Sequence, residues 1–463
     1  MSRVFKFIFC AGLAAAAALS AQQPDIIGKI TGGERPVIAI PDFRGSGDAQ
    51  NYMGVFNRTL WDDVDNSGVF RMAAKSMYPL QVPQQPQDFK PPAAPAVPAR
   101  RGAPPPQPVR QGPWLTDWSG PPVNASYLAF GYTSIQDGRL VLFGYLYDVT
   151  QQEISGAQVI GKLYFGPADE AGAQKVAREF ASDIISRFGG TSLAGAKIFF
   201  VSNRTGDKEI WSMDYDGSNQ IQITHYKSLS LFPTISPDGA KLAFTSYAKG
   251  APGIFVHSLE TNRALRFYNQ PASMTATPEF TPDGQRILFS STAGGAGYPQ
   301  IFAANLDGTG LRRLTYARAI DVEPRVNPKT GSEVVFVSGR SGLPQIYKMS
   351  IDGADVVRLT NGEGEAVNPF WHPDGQHIVF AWTRGYEPGN YNIFIMDVAT
   401  LQTVQLTHGV GRNENPSWAP DGRHIAFTSY RTGSPQIWTM LADGRELRQL
   451  TTRGRNEKPV WRK

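Results

Sequence analysis

The sequence predicts a mainly β protein, a six-bladed β-propeller preceded by a small α/β domain, and three observations carry that prediction. A Pro-Asp-Gly phrase recurs, as Ser236-Pro-Asp-Gly, Thr281-Pro-Asp-Gly, His372-Pro-Asp-Gly and Ala419-Pro-Asp-Gly, with Asn327-Pro-Lys-Thr-Gly as a variant. Its prolines (237, 282, 328, 373 and 420) are separated by 45, 46, 45 and 47 residues, a period typical of propeller blades. An apolar strand follows the phrase and occurs six times, from Ile198, Leu242, Ile287, Val334, Ile378 and Ile425. A Pro-x-apolar strand precedes it and also occurs six times, from Pro233, Pro278, Pro324, Pro369, Pro416 and Pro459.

The two strand series are out of phase. The strand at Ile198 has no Pro-x-apolar strand ahead of it, and Pro459-Val-Trp461 has no apolar strand behind it. The C-terminal segment is therefore expected to supply the innermost strand of the first blade, so that the ring closes with no free sheet edge. Within each repeat, Asp-Gly makes a tight turn because Gly accepts φ > 0. A third strand is visible at Ile210-Trp211, Ile254-Phe255, Ile301-Phe302, Ile346-Tyr347, Ile393-Phe394 and Ile437-Trp438. A fourth ends in Ile223-Thr224, Leu314-Thr315, Leu359-Thr360, Leu406-Thr407 and Leu450-Thr451. The weakest repeat, around Glu260-Thr-Asn262 and Arg266-Phe267, lacks both the second Asp-Gly and the Leu-Thr.

The remaining 194 residues divide by composition. Residues 1–21 read as a signal peptide, with Arg3 and Lys6, an apolar run from Phe7 to Leu19, and small residues up to Ala21. Residues 22–34 form a tail with Ile26, Ile27 and Ile30 among Gly and polar residues, expected to be flexible or to add to a partner's sheet. Residues 35–190 are the α/β domain and 195–463 the propeller. In the former, Val37-Ile-Ala-Ile40 reads as a strand, and Met53, Phe56, Leu60 and Val64 as a helix with Asp48 as its cap. Alternation around Asp137-Gly138 predicts a hairpin. Val176, Phe180, Ile184 and Phe188 predict a second helix, stopped by Gly189-Gly190. From 79 to 113 the chain is dominated by Pro, Ala and Gln, which predicts a mobile polyproline-like insertion unable to pack a core.

Lys plus Arg number 45 against 40 Asp plus Glu, a net +5 that falls to +3 without Arg3 and Lys6. The basic residues are scattered, which argues against a nucleic-acid surface. The single cysteine, Cys10, lies in the leader, so the mature chain is expected to be exported without disulfides.

The catalytic motifs that accompany some propellers are missing. No Gly-x-Ser-x-Gly elbow occurs, and Gly339-Arg-Ser-Gly342 falls in an inter-strand loop. The six histidines lack metal-ligand spacing, and Asp214-Tyr-Asp-Gly217 reads as a turn rather than a calcium loop. The reading is a non-enzymatic chain with no catalytic, cofactor or metal site. What remains is a binding face. The loops that lead into each Pro-x-apolar strand and those after the Phe-x-Ser strand fall on one side of the ring. They collect Arg412, Asn413, Glu414, Arg455, Asn456, Glu457, Glu365, Asp321, Met274 and Arg204, a mixed-charge rim around a central mouth.

Taken with Arg35-Pro-Val-Ile-Ala-Ile-Pro-Asp-Phe43, Asn66-Ser-Gly-Val-Phe-Arg71, Tyr127-Leu-Ala-Phe-Gly-Tyr132 and Ala196-Lys-Ile-Phe-Phe-Val-Ser-Asn-Arg204, the repeats resemble the TolB family over nearly the whole mature chain. These are periplasmic proteins of the Tol–Pal system of Gram-negative envelopes. The resemblance implies a monomeric, periplasmic, non-catalytic adaptor serving outer-membrane integrity and constriction during cell division. It implies that the propeller mouth binds the peptidoglycan-associated lipoprotein Pal. It also implies that the tail, through Asp25, Ile26, Ile27 and Ile30, contacts the inner-membrane protein TolA. The insertion at 79–113 departs from the family pattern. The alternative reading is an exported propeller that binds a small molecule or glycan in its central channel.

Overall fold

The computed structural model describes Ile26, Ile27, Gly28, Ile30, and residues 33–93 and 111–463 apart from 296 and 410. The leader, Asp25 and the 94–110 part of the Pro-rich stretch lie outside the described residues. Two compact units emerge. Described residues from Gly33 to Ala194 form one, and Gly195–Lys463 form the other together with Ile26, Ile27, Gly28 and Ile30.

The first unit is built on a mixed sheet. Its spatial strand order is Arg71–Met72, Val37–Ala39, Tyr127–Gln136, Arg139–Asp148 and Gln158–Pro167, with Arg44–Gly45 also paired to Tyr127–Gln136. Helices Met53–Asp65 and Glu170–Arg187 bury Phe56, Leu60, Phe180 and Ile184 in one apolar cluster with Ala129, Leu140, Leu142 and Leu146 of the hairpin. Asp169 caps the second helix by accepting from the Gly172 N–H at 2.7 Å. Asp48 does not cap the first; it lies inside a 3-10 turn, Gly47–Tyr52, that leads into it.

Because strand side chains alternate, Leu128, Phe130 and Tyr147 form a second cluster apart from the helices. Leu115, Trp118, Val123 and Phe89 complete it. Phe89 corrects the expectation for the Pro-rich stretch, whose described portion does contribute to a core. It stacks on Tyr147 at 5.6 Å and meets Phe130 edge-on at 5.4 Å. One aromatic ring buries enough area to anchor a segment that has few other apolar groups.

The second unit has six four-stranded antiparallel blades. Blade 1 orders its strands as Asn456–Arg462, Lys197–Ser202, Glu209–Asp214 and Ile221–Gln222. The ring thus closes as the strand count predicts, with Asn456 opposite Ser202 and Trp461 opposite Ile198. Blades 2 to 6 begin with inner strands Ser230–Ile235, Thr275–Phe280, Asp321–Val326, Ala366–Trp371 and Asn413–Trp418.

The terminal Thr of the repeat has a structural task. Thr315, Thr360, Thr407 and Thr451 each accept, at 2.9 Å, the N–H of the second residue of the third strand (Ile301, Ile346, Ile393 and Ile437), and Thr224 accepts from Ile210 at 2.8 Å. Blade 2, which lacks that Thr, uses Asn269 instead. Its Oδ1 accepts from the Ile254 N–H at 2.8 Å, and its Nδ2 donates to the Ile254 carbonyl at 2.9 Å.

Candidate protein-binding face and channel of the propeller

Backbone hydrogen bonds bring together the two sets of loops expected on one face. Asn203 donates to Arg455, Tyr247 to Leu229, Thr292 to Met274, Gly339 to Ile320, Thr383 to Glu365 and Tyr430 to Arg412. Every blade makes this contact, so the rim is continuous around the ring.

The rim residues divide into supports and exposed groups. Asn413, Asn456 and Asp321 are fully buried. Asn413 accepts from Ser429 Oγ at 2.7 Å and from Arg431 at 3.3 Å. Asn456 donates to Gln436 at 2.8 Å and accepts from Arg204 at 2.9 Å. Asp321 is paired with Arg340 at 3.0 Å. Arg204 belongs with the supports. It donates to Ser202 at 2.9 Å and lies 4.6 Å over the Trp211 ring. Burial, with Arg453 nearby, holds its guanidinium below its ordinary value. The same arrangement recurs at Arg340 over Tyr347 (4.9 Å) and Arg431 over Trp438 (4.8 Å). Three of these predicted contact residues, Asn413, Asn456 and Asp321, are therefore braces at the start of inner strands rather than surface groups, and the half-buried Arg204 ties its loop to Asn456.

Arg412 and Arg455 are exposed. Arg412 pairs with Glu414 at 2.7 Å and lies 5.6 and 5.5 Å from the Tyr391 and Tyr430 rings. Burial opposes its charge, but the Glu414 carboxylate outweighs that and raises it above the ordinary arginine value. Glu457 pairs with Lys208, and Glu365 accepts from the Tyr391 hydroxyl at 2.5 Å. Burial, and then that bond to Glu365, push the Tyr391 phenol up. Met274 is half-buried.

A feature the sequence reading missed lies just inside the rim. Phe232, Thr277, Glu323, Asn368, Asn415 and Lys458, each immediately before the inner-strand proline, all have left-handed backbone, with φ between 51° and 56°. At each one the inner strand shifts register against its neighbour, which is a β-bulge. The bulges bring all six residues to a constriction of about 40 Å³. Contacts link some of these residues across neighbouring blades. Asn368 donates to Glu323 at 2.9 and 3.0 Å, Asn415 N–H donates to Asn368 at 3.2 Å, and Lys458 Nζ sits 4.1 Å over the Phe232 ring. Left-handed backbone costs a residue with a side chain about 1–2 kcal/mol, and such strain concentrates at working sites.

Beyond the constriction the channel widens to about 470 Å³. Glu279 accepts there from Arg325 at 2.6 Å and from Thr234 at 3.0 Å. Burial nonetheless outweighs Arg325 and raises the Glu279 carboxyl. The Pro-Asp-Gly turns border this end. Among the described residues, one trio has the geometry for a cation: His372, Asp374 and His377. The turn already uses all three. The Asp374 N–H donates to His372 Nδ1 at 3.1 Å, His372 Nε2 meets the Gly422 carbonyl at 2.8 Å, and His377 Nδ1 meets Asp374 at 2.7 Å. Ser236 and Thr281 bond the Asp of their own turns in the same way.

The described isoleucines of the tail are seated on the propeller. Ile26 and Ile30 are buried in a cluster with Val379, Ile395, Trp418, Ile425 and Met440 of blades 5 and 6, and Ile27 packs at its margin. A tail predicted to be flexible is thus docked where it is described, because its isoleucines find apolar surface that its own sequence does not supply.

Comparisons with known proteins agree with this architecture. The model of the TolB beta propeller domain matches residues 188–386 and 359–463. A "Protein TolB homolog" of Chlorobium chlorochromatii is 33% identical over 219 residues, covering 47% of each chain. The "Tol-Pal system protein TolB" of Desulfosudis oleivorans is 35% identical over 195 residues, covering 42% of each. The aligned part spans about half the length of such curated relatives, or less. The crystal structure of TolB from Acinetobacter baumannii shares the fold, with a TM-score of 0.72 over 92% of this chain and 96% of that one, at 22% identity. A six-bladed ring closed by its own C-terminal strand, matched over all its blades by one family model, makes this chain a member of the TolB β-propeller family.

Proposed function

We propose that the protein is a non-catalytic periplasmic adaptor of a Tol–Pal system, exported by the leader at 1–21. In this reading its propeller mouth receives a Pal-like lipoprotein domain and its tail a TolA-like inner-membrane protein. The observation that carries the reading is the mouth itself. Six strained, side-chain-bearing positions converge on a constriction too small for a substrate, inside a rim where Arg412 and Arg455 remain exposed. A surface of that kind suits a macromolecule that covers it rather than a small molecule that enters it. The family match and the Tol–Pal names of the relatives support the same reading.

The docked tail bears on how two partners are coupled. Ile26 and Ile30 are the apolar groups that a partner's sheet needs, and the propeller holds both. The tail must leave blades 5 and 6 before it engages another protein through them.

The test uses the mature chain and a Pal-like periplasmic domain. Arg412→Ala with Glu414→Ala is expected to weaken the complex at least about tenfold, as loss of charged groups at an interface does. Deletion of residues 22–33 is expected to abolish capture of the TolA-like partner and spare the Pal-like one. Undiminished Pal binding by the double variant would reject the mouth as the contact.

A further inference from the structure

The chamber beyond the constriction differs chemically from the mouth, and nothing in the adaptor reading uses it. At about 470 Å³ it falls within the range of small-ligand sites. Its wall mixes polar and apolar groups, and the aromatic side chains Phe280, Phe370, Trp371, Trp418 and Trp461 border it with most of their surface packed into the blades.

Three ionisable groups line it: Glu279, Arg325 and Arg462. The first two neutralise each other at 2.6 Å. Arg462 is left over. Among the described residues no carboxylate comes within 4 Å of its guanidinium, and its Nε is buried without a hydrogen-bond partner. Burial holds it below the ordinary arginine value, with only partial relief from Asp238 and Glu279. Arg462 is half-buried with its Nε buried and unbonded, so an anion that enters the chamber offsets a desolvation cost the fold already carries.

The repeat explains why this arginine stands apart. In the other inner strands its place is taken by Ser236, Thr281, Asn327, His372 and Ala419. The first four of these bond into the turn that follows them. Arg462 is followed by Lys463 rather than by Pro-Asp-Gly, so that task does not fall to it.

We propose that this chamber is a binding site for a small organic carboxylate with an aromatic body, the carboxylate on Arg462 and the ring among the tryptophans. Arginine binds a carboxylate through two parallel N–H donors, and aromatic walls supply apolar area with defined geometry. The site goes beyond the adaptor reading and stands or falls without it, because its test needs no partner protein.

The test is calorimetric titration of the full chain with phenylacetate, phenylacetamide and acetate, with tryptophan fluorescence as a second signal. Phenylacetate is expected to saturate with a Kd on the order of 1 mM or tighter. The neutral amide and the bare acetate are expected to bind at least about tenfold more weakly. Arg462→Gln should impose the same loss and Arg462→Lys a smaller one, and Val460→Phe, which fills the chamber without touching the charge, should abolish binding. Melting curves check that each variant folds. Equal phenylacetate affinity in wild type and Arg462→Gln, or no saturable signal from folded wild type up to about 10 mM, would overturn the proposal.

Discussion

The mouth and the chamber of the propeller are lined by the same six strands, a few residues apart, yet they have opposite chemistry. At the mouth, Glu323, Asn368, Asn415 and Lys458 are all engaged with the neighbouring blade. In the chamber, aromatic side chains border an ion pair, Glu279 with Arg325, and the buried Nε of Arg462 has no hydrogen-bond partner. The difference arises from the bulge. A left-handed residue at each inner strand turns one set of side chains against each other, and the strand then resumes and opens the channel behind them. One repeat therefore makes both a closed surface and an open cavity.

Three perturbations bear on that contrast. The largest effect is expected from Glu279→Ala, which leaves Arg325 in the chamber wall without its counter-charge. Breaking such a pair from one side costs about 3 kcal/mol, measured as a lower urea midpoint. A loss under about 1 kcal/mol would mean that solvent screens the chamber as it does a surface pair.

Acid comes next. At the chamber's outer border, the Ser236 hydroxyl and the Ala240 N–H hold Asp238 down to about 2. Asp283 and Asp421 are also lowered; the Thr281 hydroxyl does most for the first, and His424 overcomes burial for the second. A carboxylate whose pKa is lower folded than unfolded stabilises the fold above the ordinary aspartate range, and that contribution is lost as pH falls through its folded value. Melting temperature should therefore drop between about pH 4 and pH 2, and drop less steeply in Asp238→Asn.

The smallest effect is expected at the mouth. Lys458→Ala removes the ammonium from the Phe232 ring and should cost about 0.5–1 kcal/mol. A larger loss would show that the ring of contacts acts as one unit.

The propeller was legible because its punctuation is covalent: proline and glycine restrict backbone angles whatever surrounds them. The closing strand followed from a mismatch in two counts. The bulges were not legible. Phe232, Thr277, Glu323, Asn368, Asn415 and Lys458 share no side-chain chemistry, and the proline that follows each one marks their position but favours extended rather than left-handed backbone. Asn269 escaped for a similar reason, since it does the work of a Thr from a different place in its repeat. In the first unit, the Gln158–Pro167 strand was missed because Gly161 and Gly166 interrupt its alternation. The two sets of rim loops do meet, but their sequence offered no way to separate Asn413 and Asn456, which brace strands, from Arg412 and Arg455 beside them.

The strand that closes the ring has a consequence for how the protein comes into being. Asn456 and its partner Arg204 lie 252 residues apart, so the first blade waits for most of the chain before it is complete. That same strand brings Lys458 to the mouth and Val460, Trp461 and Arg462 to the chamber. Until it docks, a nascent chain carries five finished blades, with neither the constriction nor the chamber complete. Closure of the ring and completion of both cavities are then a single event.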